Sequence, residues 1–278
     1  MISALMQFEF LRNAFYTGIL IGFIAPLLGV FVVVRRLSLI ADALSHVTLA
    51  GIAASLFVEK KFGFMVGVSP LYFGMGFSVA GALFIEKLRS IYKHYQELAI
   101  PIILSSGIGL GVIFISLADG FNTDLFNYLF GSVSAVSRAD FWTILVISAI
   151  IIITIILFYK EFFVLSFDEE HARVSGINAR FFHFLFIIMV ALVIASSMRI
   201  VGILLVSSLM TLPVASSIRI AKGFKQTIFL SILFGEIAVI GGLITSFYLD
   251  LAPGGTIVII SVIILIATIV WTKIRRGK

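Results

Sequence analysis

Nine apolar stretches, each long enough to cross a lipid bilayer as a helix, follow one another along this chain. About 20 consecutive apolar residues are needed to span the hydrocarbon core of a membrane. Hydrophobic residues make up 61% of the 278 positions and charged residues only 12%, which excludes an ordinary soluble domain. The pattern predicts an all-α, polytopic integral membrane protein, with residues 1–278 forming a single transmembrane domain. The stretches cover roughly residues 10–34, 38–57, 64–86, 98–117, 140–159, 181–198, 200–221, 226–249 and 255–272.

The two stretches on either side of Arg199 are separated by a very tight turn. Gly202 and Pro213 interrupt the second of them, and glycine or proline inside a span marks a kink or a break. The pair is therefore also compatible with one broken or re-entrant element. In that case the chain has eight spans instead of nine.

Lysine and arginine are distributed unequally between alternate loops. If the N-terminus is outside, the cytoplasmic loops carry fifteen of the 20 basic residues and the outer loops carry five. Because cytoplasmic loops are enriched in Lys and Arg, this asymmetry predicts an outer N-terminus and a cytoplasmic C-terminus, which requires an odd number of spans. The net charge of +6 lies in short loops between apolar spans, so no nucleic-acid partner is expected.

The stretch Leu37–Leu56 carries two ionisable side chains within its apolar run, Asp42 and His46. Residues four apart lie one above the other on a helix face. Ionisable groups inside a membrane are costly and usually face the bundle interior or a water-filled path. One carboxylate and one imidazole form a half-site for a divalent metal such as zinc or manganese. The alternative is a buried Asp–His hydrogen bond that only holds two helices together.

A further acid at membrane depth is Glu236, near the middle of the eighth stretch. An unpaired carboxylate there costs on the order of a few kcal/mol, so Glu236 should be neutral, paired or facing water. It belongs either to a solute pathway or to the buried structure. Near the outer surface, Asp124 and Asp250, together with Asp119, form an acidic rim that would attract cations, although solvated loop acids show the same pattern.

Two loops have an unusual composition. Residues 120–140 are half apolar, which predicts an interfacial or re-entrant helix with Tyr128 at the level of the lipid headgroups. Residues 160–180 form the longest cytoplasmic loop, and a short amphipathic helix is predicted within 168–174. Acidic residues favour the N-terminus of a helix and glycine favours its end. Such a helix is either a docking surface or a linker. The residues concerned are Asp168, Glu169, Glu170 and Gly176.

Several common catalytic motifs are missing. There is no GxxxxGK[ST] phosphate loop, so transport driven by ATP would need another subunit to bind the nucleotide. The absence of HExxH and GxSxG argues against an intramembrane protease or hydrolase. The chain also has no cysteine, so any metal must be held by oxygen and nitrogen ligands. We therefore expect a transport subunit that is not itself an enzyme.

Four stretches in order resemble the metal-type ABC permeases, which are the membrane subunits of bacterial zinc and manganese importers. Each motif alone is weak, but together they extend over nearly the whole chain, from about residue 10 to 272. The stretches are Val34–Gly51, with an arginine pair and an Asp-x-x-x-His helix; Tyr128–Ala139, with YLFG; Val201–Ala215, with VGxLL; and Tyr248–Thr256, with a Pro-x-Gly turn after Asp250.

The resemblance implies an all-helical permease that forms a homodimer in the bacterial inner (cytoplasmic) membrane. Two cytoplasmic ATP-binding subunits would hydrolyse ATP, and an extracellular solute-binding protein would deliver the metal. The Asp and His of the family's second helix map onto Asp42 and His46. Residues 168–180 correspond to the coupling helix that contacts the ATPase, with Asp168, Glu169, Glu170, Arg173 and Gly176 as candidate residues.

The predicted function is import of a divalent transition metal by alternating access. Zinc is favoured because the GFIAPLLGVFVVVRR run and the YLFG segment look more like the zinc branch; manganese and iron are the alternatives. The metal is the transported ion, and no tightly bound cofactor is expected. A second hypothesis is a self-sufficient secondary cation transporter with Asp42, His46 and Glu236 as a proton relay, against which the missing inverted repeat argues. An intramembrane enzyme is the third.

Overall fold

A computed structural model describes residues 7–63, 68–118, 120 and 123–276. These ranges form twelve α-helices and one 3₁₀ turn, Gln96–Leu98, and contain no β-strand. The helices are α1 (Glu9–Val34), α2 (Leu39–Phe62), α3 (Pro70–Ile91), α4 (Ala99–Leu117), α5 (Thr123–Phe130), α6 (Arg138–Leu157), α7 (Tyr159–Phe167), α8 (Glu169–Val174), α9 (Ala179–Val201), α10 (Ile203–Ile218), α11 (Phe224–Leu249) and α12 (Pro253–Arg276).

Eight helices in the described ranges, α1, α2, α3, α4, α6, α9, α11 and α12, are long and apolar enough to cross a membrane. This confirms the predicted all-α, polytopic membrane protein. The remaining apolar stretch became α10, which has only 16 residues and is therefore about 24 Å long, less than the thickness of a bilayer core. Gly202, with φ +83°, separates it from α9, as the tight turn there predicted.

The short helix α10 lies in the middle of the bundle. It packs against α1, α2, α9, α11 and α12, and its residues Val206, Leu209 and Met210 are fully buried. A membrane protein tolerates a short or broken helix where neighbouring protein, rather than lipid, surrounds it. The surrounding helices therefore explain how α10 can stop short of the full membrane thickness.

The predicted loop 160–180 contains two helices rather than one. Within it, α7 follows α6 after a single residue, and Phe162 of α7 is buried with its ring 6.1 Å from those of Phe31 and Phe186. Because this aromatic contact holds α7 against the ends of α1 and α9, the free part of the loop is limited to α8 and its flanking turns.

The second helix, α2, packs very closely against α3 and α4. A Cβ atom on Gly51 would lie 2.6 Å from Cβ of Phe77, and one on Gly107 of α4 would lie 2.9 Å from the backbone nitrogen of Val47. Neither space accepts a methyl group without a shift of the neighbour, so the short distances between these helices require glycine. Two neighbouring helices thus hold α2 in place.

Three glycines, which we name the glycine junction, bring together backbones of α5, α9, α10 and α12. Gly131 and Gly202 have φ near +80°, a conformation that is strained for other residues. A Cβ on Gly131 would lie 2.1 Å from the carbonyl oxygen of Ile200, and one on Gly254 would lie 1.8 Å from that of Val201. The YLFG, VG and Pro-x-Gly motifs are therefore the points where these backbones touch.

Arg199, which the sequence places between two apolar stretches, lies in the last turn of α9 beside the glycine junction. Its guanidinium donates hydrogen bonds to Oδ2 of Asp140 at 2.6 Å, to the carbonyl oxygen of Ala135 at 2.7 Å and to the hydroxyl of Tyr128 at 3.0 Å. Tyr128 is only 4% exposed, so its ring packs inside the protein and not against lipid, and its level relative to the headgroups stays a prediction. It points inward because its hydroxyl accepts this buried charge-assisted hydrogen bond.

Candidate metal pathway

Asp42 and His46 lie in the first two turns of α2, which begins at Leu39. Both side chains are half-buried. Neither makes a hydrogen bond or an ion pair with any described residue. The Asp–His hydrogen bond that the sequence left open as an alternative is therefore not formed, and the polar atoms of both side chains are available to a ligand.

The same face of α2 is uncovered at its N-terminal end. Leu39 precedes Asp42 by three residues and His46 follows it by four, so the three side chains lie along one face. Leu39 is 58% exposed, so no described helix covers this end of the face. This part of α2 is thus open to another molecule, whereas its other side is held by α3 and α4.

Two side chains are too few to form a complete metal site. Zinc is usually bound by four ligands in structural sites and by at least three protein ligands in catalytic sites. Within the described residues, no group of three or more His, Asp or Glu side chains is arranged to hold a metal ion. Asp42 and His46 therefore form an incomplete site in a single chain.

Glu236 lies elsewhere in the bundle. It is on α11, and its Oε1 would be 3.4 Å from a Cβ atom placed on Gly22 of α1. Its Oε2 is buried and has no hydrogen-bond partner among the described residues. In the described ranges α11 packs against α1, α10 and α12 but not against α2, so the structure does not bring Glu236 together with Asp42 and His46. A proton relay through all three residues consequently has no geometric support.

The predicted short helix in the cytoplasmic loop is present as α8, with both of its predicted ends. Asp168 is the N-cap, and its Oδ1 accepts a hydrogen bond from the backbone N–H of His171 at 2.8 Å. At the other end the N–H of Gly176 donates to the carbonyl of Arg173, and the N–H of Ile177 donates to the carbonyl of Ala172. This is the Schellman arrangement, in which Gly176 adopts φ +81°.

The residues of α8 named from the sequence point mainly to solvent. Arg173 and Glu169 form an exposed ion pair with an N–O distance of 2.6 Å, and Glu170 is exposed. Val174 is 89% exposed, while Ala172 on the opposite side is fully buried. The helix is therefore fixed on one side and presents both charged and apolar groups outward.

Of the three predicted outer acids, the structure describes the side chain of one. Asp250 is exposed and ends α11 with φ +53°. Asp119 and the side chain of Asp124 lie outside the described residues. The acidic rim therefore stays a prediction.

Sequence reasoning missed a group of four charged or polar residues near α8, which we name the histidine cluster: Arg35, Glu86, Arg89 and His183. Both ring nitrogens of His183 are engaged, Nδ1 with the guanidinium of Arg35 and Nε2 with that of Arg89, and Nε2 also lies 2.8 Å from Oε2 of Glu86. A cavity of about 930 Å³ lined in part by these residues opens next to α8. One feature of the sequence could have indicated this cluster: each of its residues lies within two turns of a helix end on the predicted cytoplasmic side.

The sequence model of the ABC 3 transport family matches residues 7–272, nearly the whole chain. The chain belongs to this family. Its fold agrees: PsaBC from Streptococcus pneumoniae, solved in complex with a Fab, superimposes with a TM-score of 0.83 at 32% identity, covering 96% of this chain and 93% of that chain. The chain is thus an ABC transporter permease, a multi-pass protein of the cell membrane.

Relatives in the ABC 3 transport family are named for two different metals. The manganese transport system membrane protein MntC of Listeria monocytogenes is 35% identical over 95% of this chain and 91% of its own length. The high-affinity zinc uptake system membrane protein ZnuB of Haemophilus influenzae is 32% identical over 95% of this chain and 98% of its own length. The two sequence identities differ too little to indicate which metal this chain transports.

Proposed function

We propose that this chain is the permease subunit of an ATP-driven importer of a divalent transition metal, and that Asp42 and His46 bind the ion transiently on its path. The observation that carries the proposal is that both side chains stand on an uncovered face of α2 without a hydrogen bond or ion pair to any described residue. Ionisable groups at membrane depth are costly, and those that persist usually mark an ion pathway.

The incomplete ligand set supports a homodimer. A second copy related by a two-fold axis would bring another Asp42 and His46 to the same ion, and an isologous contact would also cover the exposed Leu39. Four oxygen and nitrogen ligands suit zinc or manganese, and the absence of thiolates keeps binding weak enough for release.

The partner that supplies energy docks at α8 in this proposal. Its exposed Val174 and its charged residues form a small mixed surface, and the Asp168 and Gly176 caps keep the helix folded without that partner. Two cytoplasmic ATP-binding subunits would each engage one copy of α8, and a solute-binding protein would deliver the ion from outside, near Asp124 and Asp250. ATP-driven movement at α8 then opens and closes the path by alternating access.

Zinc remains the cargo favoured by the sequence motifs, and manganese is the alternative suggested by the name of the Listeria relative. Aspartate and histidine bind either ion. The separation of Glu236 from α2 removes the reason for a secondary transporter with a proton relay.

The test is metal uptake by the permease reconstituted in proteoliposomes with the ATPase subunit and the metal-loaded binding protein. Radiolabelled zinc and manganese are offered separately and in competition, with and without ATP. Asp42→Ala and His46→Ala should each abolish uptake of the transported ion while the amount of assembled complex stays normal. Uptake by the unmodified complex should fall at acidic pH, because a protonated His46 imidazole cannot bind metal.

Matched controls come from exposed residues of the same types. His94→Ala and Glu97→Gln alter a histidine and an acid that are both exposed in one loop, and uptake should not change. The proposal is wrong if the double variant Asp42→Leu, His46→Leu still transports metal at the rate of the unmodified protein. If Asp42 and His46 have only a structural role, the single alanine variants should instead lose folded protein, and the double leucine variant should restore it.

A further inference from the structure

His183 occupies an unusual position between the coupling segment and the site helix. It lies in the second turn of α9, nine residues after the end of α8, and its side chain is 12% exposed. Its Nδ1 meets the guanidinium of Arg35. Arg35 ends α1, and the turn that follows leads directly into α2, where Asp42 is only seven residues further along the chain.

A neutral imidazole has one donor and one acceptor, and arginine can only donate. His183 therefore cannot accept hydrogen bonds from Arg35 and Arg89 at the same time. Oε2 of Glu86 lies 2.8 Å from Nε2 as an ion-pair contact outside hydrogen-bond geometry, and its negative charge favours the tautomer with the proton on Nε2. In that tautomer Nδ1 accepts from Arg35, and Arg89, whose NH2 group already donates to Oε1 of Gln96 at 3.3 Å, has to turn its NH1 group away from Nε2.

Arg35 depends on this contact because it is largely removed from water. Burial, with the nearby charge of Arg89, lowers the pKa of Arg35 to about 10, so it is still charged at neutral pH. Its guanidinium carbon also lies 4.9 Å from the centre of the Phe186 ring, another residue of α9. The next residue, Arg36, has φ +57°, so the turn between α1 and α2 adopts a conformation that is unfavourable for arginine. The contacts of Arg35 with α9 fix the position of this turn.

We propose that His183 is a positioning residue that transmits movement of α8 to the metal-binding helix. When the ATP-binding subunits displace α8 and the start of α9, the His183–Arg35 hydrogen bond carries the displacement to the turn before α2 and so to Asp42 and His46. Glu86 holds the histidine in the tautomer that makes this bond. The proposal rests on the proposed function, since it needs α8 to be the point where the ATPase acts.

The test is the number of metal ions transported per ATP hydrolysed by the reconstituted complex. His183→Leu should lower this ratio by about tenfold, within the range typical of coupling between two sites, while complex assembly and basal ATP hydrolysis persist. Arg35→Gln should do the same, whereas Arg36→Gln, the same change at the neighbouring exposed arginine, should leave the ratio unchanged. A merely structural role would alter the thermal stability of the complex without changing this ratio.

Two conservative variants decide the question if the leucine variant does not fold. The amide oxygen of Asn occupies the place of Nδ1 and can accept from Arg35, whereas the longer Gln amide reaches the place of Nε2 beside Glu86. His183→Asn should retain the transport ratio and His183→Gln should lose it; equal ratios in the two variants would overturn the proposal. If the unmodified complex does not couple ATP hydrolysis to metal uptake at all, the proposed function itself has failed, independently of His183.

Discussion

Replacing Gly107 with alanine should damage the metal site without touching either ligand. A Cβ atom at this position would lie 2.8 Å from Cγ2 of Val47, 2.9 Å from its backbone nitrogen and 3.2 Å from the carbonyl carbon of His46. A side-chain methyl can rotate away, but a helix backbone cannot. To restore ordinary contact at 3.4 Å, α2 must move from α4 by about 0.5 Å at the nitrogen of Val47, the residue that follows His46. Overpacking of this kind costs about 1–3 kcal/mol.

The expected result is a lower melting temperature of the purified permease and a loss of metal uptake of about tenfold or more, because ligand positions must hold within about 0.5 Å. The matched control is Gly109→Ala on the same helix, where an added Cβ meets no atom within 4 Å. That change should be neutral or stabilise the protein by about 0.5–1 kcal/mol, since alanine favours helix more than glycine does. Equal uptake and equal melting temperatures in the two variants would refute the close packing of α4 behind His46.

Two further changes test individual side chains. Gly176→Val should strain the end of α8 by about 1–2 kcal/mol through backbone conformation alone, since φ is +81° and no atom lies within 4 Å of an added Cβ. Co-purification of the ATPase with the permease should fall, and normal recovery would contradict α8 as the docking site. Glu236→Gln should leave uptake intact and raise the free energy of unfolding by about 1 kcal/mol, because it removes a buried carboxylate whose Oε2 has no described partner. Uptake abolished at normal expression would instead place that charge in the pathway.

The features that the sequence predicted well are those set by local chemistry. Hydropathy located the long helices because the bilayer alone determines which stretches must be apolar. Asp168 and Gly176 marked the ends of α8 because capping depends on residues within one helical turn of each other. Gly202 gave warning of the break between α9 and α10, whereas Pro213, which was expected to interrupt the second stretch, lies inside an unbroken α10.

The features that the sequence did not reveal depend on partners far apart in the chain. Arg199 was noted only as the position of a tight turn, because its partner Asp140 is 59 residues away. His183 was given no role, yet it meets Arg35 across 148 residues. Hydropathy measures the affinity of a residue for lipid or water and carries no information about which residue will lie opposite it. The sequence held one clue to the histidine cluster: its four charged or polar residues lie at similar predicted depths near the cytoplasmic ends of their helices.

The two ends of the bundle differ in how easily they can move, and this difference indicates which end opens during transport. At the glycine junction the backbones of Gly131, Gly202 and Gly254 lie directly against carbonyl oxygens of neighbouring segments, with no side chain between them that could change rotamer. The histidine cluster, in contrast, is built from long polar side chains with several contacts each: His183 contacts both Arg35 and Arg89, and Arg89 also donates to Oε1 of Gln96. Because close-packed backbone resists small displacements while hydrogen bonds between flexible side chains can be exchanged, we expect the helices to pivot near the glycine junction and to separate at the histidine cluster. The half of α2 that carries Asp42 and His46 lies at this mobile end, where ATP-driven movement of α8 would reach it first.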